Sequence, residues 1–445
     1  MKEFLIGNAR LVTRDDQNPY IEHGAVYVSG DTISDVGKED TIKAKYPQAD
    51  WVDGHGGVIM PGMICTHNHI YSAFARGLSI KGYSATDFIG ILEGQWWRID
   101  RLLTLDETKW SAEATYLDCI KNGSTTVFDH HASYGAIKGS LDTIAAAARK
   151  YGIRSCLCYE VSDRDGEEKM KEAVLENEDF ILKAQKDGGD MLKGMMGMHA
   201  PFTLSDETLE FCKEHTPEGA GYHIHVAEGI EDVHDSLKKY GKRTVERLFD
   251  LGILGKLTIA GHCIHVNRHE MDLLKETDTM VVHNPESNMG NAVGCGPVMQ
   301  MVALGILTGL GTDGYTNDMF ESYKVANILH KHHLCNPGAA WTEVPKMLFE
   351  NNPAIAERYF KKPLGVIRPG AAADIIITDY VPDTPMDGSN ANSHILFGMS
   401  GRSVITTIVN GEILMQDRKV LVCDEGEVLE ASRASAATLW KDING

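Results

Sequence analysis

Pro61-Gly62-Met63-Ile64-Cys65-Thr66-His67-Asn68-His69 is an apolar run that closes on two imidazoles. Side chains at i and i+2 of a strand lie on one side, so an extended run makes His67 and His69 converge on a single point, as two ligands of one metal ion would. His-x-His alone is a weak signal. At the end of the strand Gly57-Val58-Ile59-Met60-Pro61-Gly62 it predicts a metal rather than two packing histidines.

The same arrangement returns downstream. Between Gly57 and Leu364, apolar runs alternate with longer amphipathic stretches, the pattern of repeated βα units. The runs are Val58–Cys65, Ser124–Phe128, Arg154–Tyr159, Leu192–Met198, Tyr222–Val226, Leu257–Ala260, Thr279–Val282 and Ile306–Leu310. Most are followed by polar or ionisable residues, several of them His or Asp. Functional groups of a barrel gather at the C-terminal ends of its strands, so the expected fold is α/β, a (β/α)8 TIM barrel over residues 58–364. Before and after it lie short β-like runs: Phe4-Leu5-Ile6, Ala25–Val28, Asp374–Ile377, and Val404–Val409 leading through the turn Asn410-Gly411 into Glu412–Met415. Neither terminal piece buries much alone. Residues 1–57 and 365–445 are therefore expected to meet in one discontinuous β-sandwich domain.

Three further strand ends carry chemistry. In Tyr222-His223-Ile224-His225-Val226-Ala227-Glu228 the two histidines share a face; His225, at the end, is the expected third ligand, with His223 a layer deeper behind it. Glu228 follows where the strand gives way, a position that a helix N-terminal acid would also occupy. In Ala260-Gly261-His262-Cys263-Ile264-His265 the histidines have opposite parity; one is functional, and spacing does not choose between them. Gly309-Leu310-Gly311-Thr312-Asp313-Gly314 closes on a carboxylate suited both to ligate a cation and to take a proton from water.

Composition bounds the partners. A formal charge of −20 over 445 residues argues against binding nucleic acid through its phosphates. No run of 18 apolar residues predicts a membrane span, and the N-terminus, acidic at Glu3, does not read as a targeting segment. Nine cysteines without a CxxC pair read as reduced thiols of a cytoplasmic protein. The charged segment Asp163–Lys171 reads as a solvated loop entering a helix.

Taken in order, His67-x-His69, His225-x-x-Glu228, Gly261-His262-Cys263, His283-Asn284-Pro285-x-Ser287-Asn288 and Gly311-Thr312-Asp313 resemble the amidohydrolase superfamily, in its branch of aminohydrolases and chlorohydrolases. The loop Tyr71–Gly77 and the pair His130-His131 are most similar to the SsnA-type group of aminohydrolases. The resemblance implies that His67, His69, His225 and Asp313 hold one divalent metal, Zn2+ or, as the second choice, Fe2+. It implies that Glu228, His262 and Asp313 serve as catalytic acid and bases, and that His199, after the fourth strand, touches the substrate. The two-metal branches carry a lysine at the end of that strand; here it ends in Gly197-Met198-His199-Ala200-Pro201, which favours the one-metal branch. Trp97, in Gln95-Trp96-Trp97-Arg98, is expected to stack on a planar ring, although large aromatics also serve packing.

The expected activity is hydrolytic deamination of a small purine- or pyrimidine-like heterocycle with release of ammonia. Opening of a cyclic amide, dechlorination of a triazine-like ring and a non-catalytic scaffold are the alternatives. Relatives lead one to expect a homodimer.

Overall fold

The computed structural model describes residues 3–445; the Met1-Lys2 part of the N-terminal reading lies outside them. The centre of the chain is the expected barrel. Parallel strands Met63–Asn68, Ser124–His131, Arg154–Tyr159 and Leu192–Gly194 form one half. Met196–Met198, Tyr222–Val226, Ile259–His262, Met280–His283 and Thr308–Leu310 form the other. Bridges Asn68↔Asp313 and Val161↔Met198 close the ring. The fourth strand is thus split around Met195, whose amide bonds to the Leu157 carbonyl.

One expected run is corrected. Val58–Cys65 is not a single barrel strand: Val58–Pro61 pairs with Ile375–Thr378 and with Arg10-Leu11 in the terminal sheet, and only Met63–Asn68 enters the barrel. The break falls at Gly62, where a Cβ would lie 2.2 Å from the Thr125 side chain, so the chain can cross between the two sheets only without one. The run's uninterrupted hydrophobicity hid this, because both halves are buried.

The strands of both chain ends make one small β domain, a nine-stranded sheet running from Lys419–Val420 to Thr32–Lys38 with Asp50–Asp53 attached to Glu3–Val12. Its inner face is aliphatic, from Ile6, Val26 and Val28 to Ile375, Ile377 and Ile408. The last helix, Glu425–Asn444, instead lies on the barrel: it packs against Leu105–Asn122, and Trp440 donates to the Phe74 carbonyl at 2.7 Å. Among the described residues no helix is long and apolar enough to cross a membrane.

A buried ion pair ties barrel to sheet. Arg154, at the start of the third barrel strand, is fully buried; its Nε lies 3.1 Å from Asp374 Oδ2, and Asp374 also accepts from the Asn410 amide at 2.7 Å. Removing one partner leaves an uncompensated charge in a dry interior. Arg154→Met is therefore expected to lower stability by about 3–5 kcal/mol in urea unfolding, and Arg154→Met/Asp374→Leu to regain most of that.

Candidate active site

Local backbone geometry aims the site. Ala227, His262 and Asp313, at or just past three barrel strands, have φ of 47°, 68° and 52°, the left-handed region that costs a non-glycine residue on the order of 1 kcal/mol or more. Such strain persists only where the surroundings enforce it. For Asp313 the enforcement is visible: its amide and that of Thr312 both donate to the His67 carbonyl at 3.0 Å, clamping the eighth strand's end to the first.

These turns bring the expected ligands together. The Nε2 atoms of His69 and His225 lie 3.2 Å apart; Asp313 Oδ1 is 3.0 Å from His69 Nε2 and 3.8 Å from His67 Nε2. Behind each imidazole the other nitrogen is fixed. His69 Nδ1 donates to the His130 carbonyl at 2.5 Å, His225 Nδ1 to the His199 carbonyl at 2.7 Å, and His67 Nδ1 pairs with His223 Nε2 at 2.8 Å. His223 is thus the deeper partner expected of it. The two carbonyls place the Nδ1 protons of His69 and His225, and the Nε2 atoms of all three imidazoles converge, that of His67 buried with no hydrogen-bond partner. Facing lone pairs repel unless a cation sits among them. The 3.2 Å separation matches the edge of about 3.3 Å expected for a tetrahedron with Zn–N bonds of about 2.0–2.1 Å. His67, His69 and His225 can hold one ion, and so can His67, His262 and Asp313, which share His67 with them, and His130, Glu160 and His225, which share His225.

Charge tells the same story. Burial drives His67 and His225 well below the ordinary imidazole value, so both stay neutral and ligand-competent. Burial also works against a charged His69, but Asp313 outweighs it and pushes His69 up to about 9. Asp313 in turn, against the effect of burial, is held well below the usual carboxylate range by His69 and His262. The protein places a proton between Asp313 and His69 where a metal would otherwise stand, so metal binding is expected to release protons.

Glu228 and His262 face this centre. His262 Nδ1 is bound to Asn288 Oδ1 at 2.7 Å, whereas His265 bonds the Val293 carbonyl. His262 Nε2 has no hydrogen-bond partner and lies 3.4 Å from Glu228 Oε2 and 3.6 Å from Asp313 Oδ2. Burial, reinforced by Asp313 and opposed by His262, raises the Glu228 carboxyl, favouring its protonated form. Asn291 donates to its Oε1 at 3.2 Å.

A cleft opens above these groups, lined by His69, His225, Glu228 and Asp313 on one side and by Trp96, Trp97 and His199. Trp97 and His199 meet edge to face with centroids 6.1 Å apart, and His199 Nδ1 is held by Thr203 at 2.8 Å. Each residue singled out in the sequence is therefore at this cleft or directly beneath it. Glu160, 3% exposed and also lining it, was missed, together with Asn291, and Asn288 was quoted in a motif without a role. Glu160 follows the third barrel strand at once, so the strand-end rule alone would have found it. The solvated reading of Asp163–Lys171 is corrected at its start. Arg164 has a side chain only 6% exposed and grips Asp100, while Asp163 accepts from Ser205 and Thr208. Adjacent charges hid it, because a buried salt-bridge cluster and a wet loop have the same composition.

Residues 58–414 match the model of the Amidohydrolase family, and residues 24–49 that of a bacterial imidazolonepropionase-like composite domain. A 5'-deoxyadenosine deaminase of Methanosarcina mazei is 32% identical over 100% of both chains. A 5-methylthioadenosine/S-adenosylhomocysteine deaminase of Syntrophomonas wolfei is 30% identical over 98% of this chain and 99% of its own. Among solved structures, an adenosine deaminase from Xanthomonas campestris with bound zinc superposes with a TM-score of 0.84 at 20% identity, covering 99% of each chain. A zinc-complexed atrazine chlorohydrolase from Arthrobacter aurescens gives 0.80 at 21%, covering 97% of this chain and 100% of that one.

Proposed function

We propose, for a chain that belongs to the amidohydrolase family, that it is a metal-dependent aminohydrolase releasing ammonia from a small nitrogen heterocycle. The observation that carries this reading is the meeting of an acid, a base and an unsatisfied ligand set on one cleft: Glu228 Oε2 3.4 Å from His262 Nε2, itself 3.6 Å from Asp313 Oδ2. The relatives that are deaminases of adenine-containing substrates support the leaving group.

His67, His69, His225 and Asp313 would hold the ion. A set of three imidazoles and one carboxylate suits Zn2+, the ion named for two similar structures. When bound, it supplies Lewis acidity and brings the pKa of water towards neutrality. The remaining work belongs to side chains. Asp313 and His262 orient the attacking water and take its proton; His262 can do so because Asn288 holds the proton on Nδ1 and leaves Nε2 as an acceptor. Glu228, whose carboxyl burial raises above its ordinary value, donates to the ring nitrogen next to the attacked carbon, so that electrons of the C=N bond move to nitrogen as carbon becomes tetrahedral. The proton taken by Asp313 and His262 then goes to the amino group; as the C–N bond breaks and ammonia leaves, the carbon's hydroxyl becomes a carbonyl and its proton returns to Glu228. Trp97 and His199 hold the ring in the cleft.

The test is ammonia release by zinc-loaded protein across purines, oxidised purines, pyrimidines, triazines and 5'-deoxyadenosine. Ammonia from at least one ring is the expected result. A new carboxylate from cyclic amides without ammonia would move the activity to ring opening and make Glu228 a leaving-group acid; chloride from a chlorotriazine would move it to dehalogenation.

A further inference from the structure

Glu160 is the one carboxylate of the cleft to which the reaction above gives no task. It enters from the end of the third barrel strand, whereas Glu228 enters after the fifth, so the two flank the strand that carries His199. Its surroundings leave its charge unmatched. Arg164 is the nearest cation, but its guanidinium is committed to Asp100, with Nη1 3.2 Å from Oδ1 and Nη2 on Oδ2. The same guanidinium lies 3.3 Å from Asp165, which also holds Arg101 at 2.7 Å. Glu160 Oε1 receives only the longest of these contacts, 3.5 Å from Nη2. Three carboxylates thus share two guanidiniums, and the one that faces the cleft is Glu160, which burial, opposed by Arg164 and reinforced by Asp100, raises to about 7.

His130 does not relieve it. Its Nδ1 is 3.7 Å from Glu160 Oε2, but its Nε2 donates to the Met198 carbonyl at 3.1 Å, and the ring is fully buried. A neutral imidazole with its proton on Nε2 offers Glu160 a lone pair rather than a hydrogen, and that Nδ1 is itself without a partner. Oε2 therefore looks onto the cleft with an acceptor and no protein donor.

We infer that Glu160 selects the substrate by accepting a ring N–H, so that the enzyme acts on amino-substituted lactam rings in preference to adenine nucleosides. This rests on the proposed deamination. A buried carboxylate facing a ring N–H gains a charge-assisted hydrogen bond. Facing a bare ring nitrogen, it sets lone pair against lone pair. The ring of 5'-deoxyadenosine carries no N–H: N1, N3 and N7 are acceptors and N9 bears the sugar. Isocytosine and guanine combine an amino group with a lactam N–H. The donors of 5'-deoxyadenosine are the leaving amino group and the sugar hydroxyls, neither of them a ring N–H, so the adenine ring of the relatives' substrates is the poorer match for this carboxylate.

The experiment compares isocytosine, guanine and 5'-deoxyadenosine on zinc-loaded parent protein and Glu160→Gln, by ammonia release and by calorimetric binding. The parent is expected to favour a lactam ring by about 100-fold in kcat/KM, the upper end of what leaving a buried polar group unpaired costs. Glu160→Gln is expected to lose about 100-fold on that ring, through KM and Kd rather than kcat, with zinc content unchanged and 5'-deoxyadenosine handled no worse. The inference is overturned if the parent prefers 5'-deoxyadenosine, a comparison that needs no variant, or if Glu160→Gln binds the lactam ring within twofold of the parent. Lactam binding that depends on Glu160 without ammonia from any ring would keep this inference and sink the deamination.

Discussion

Glu228→Gln is expected to hold zinc as tightly as the parent and to turn over about 10²–10⁴-fold more slowly, the usual contribution of a positioned general acid. Glutamine keeps the shape and can still meet Asn291, now 3.2 Å from Oε1, but it has no proton to give the ring nitrogen. Glu228 is not among the groups whose nitrogen and oxygen atoms converge to hold an ion, so metal content should be untouched. The pH dependence follows with a definite sign. Burial raises the Glu228 carboxyl above its ordinary value, so the acid form persists to higher pH than a free glutamate would allow. Turnover should fall as pH rises through that raised value, and the variant should lack this alkaline limb. Elemental analysis with a pH profile of kcat checks both halves, and unchanged turnover in the variant would remove Glu228 from the proton path.

That residue was legible in the sequence, and the reason is geometric. A barrel exposes its chemistry at strand ends, so runs closing on His67, His69, His225, His262 and Asp313 announce themselves without any knowledge of helices. Parity put His225 and His223 on one face and depth along the strand separated them, and the structure puts His223 beneath His67 at 2.8 Å. Parity failed at His262 and His265, because the strand ends there: His262 itself has φ of 68°, and beyond it alternation no longer applies. Charge clusters were opaque for another reason. Arg164 and Asp165 look the same in a solvated loop as in a buried network, and only the approach of Asp100, far away in sequence, decides between the two. Gly62 was missed likewise, since a break between two buried strands leaves no polar residue to mark it. The C-terminal helix Glu425–Asn444, placed among terminal strands by its position, is bound to the barrel through Trp440 and Asn444.

His67→Ala should abolish both metal binding and turnover, and a comparison with His223→Ala separates ligand from support. His67 contributes an Nε2 that is buried, unpartnered and oriented by His223, so its loss removes one corner of the centre and strands the His223 nitrogen as well. Ligand binding to the folded state alone stabilises it: zinc at a hundredfold excess over its Kd is worth about 2.7 kcal/mol. The parent should show that zinc-dependent rise in stability, and His67→Ala should show none of it at the same concentration. His223→Ala keeps every ligand and loses only the hydrogen bond that fixes one ring. Its affinity should fall by about 10–100-fold, the usual effect of losing such a partner, and added zinc should restore its turnover. Melting curves with and without zinc read all three proteins. A zinc-dependent rise of parental size in His67→Ala would move the centre to other residues, the nearest set being His130, Glu160 and His225.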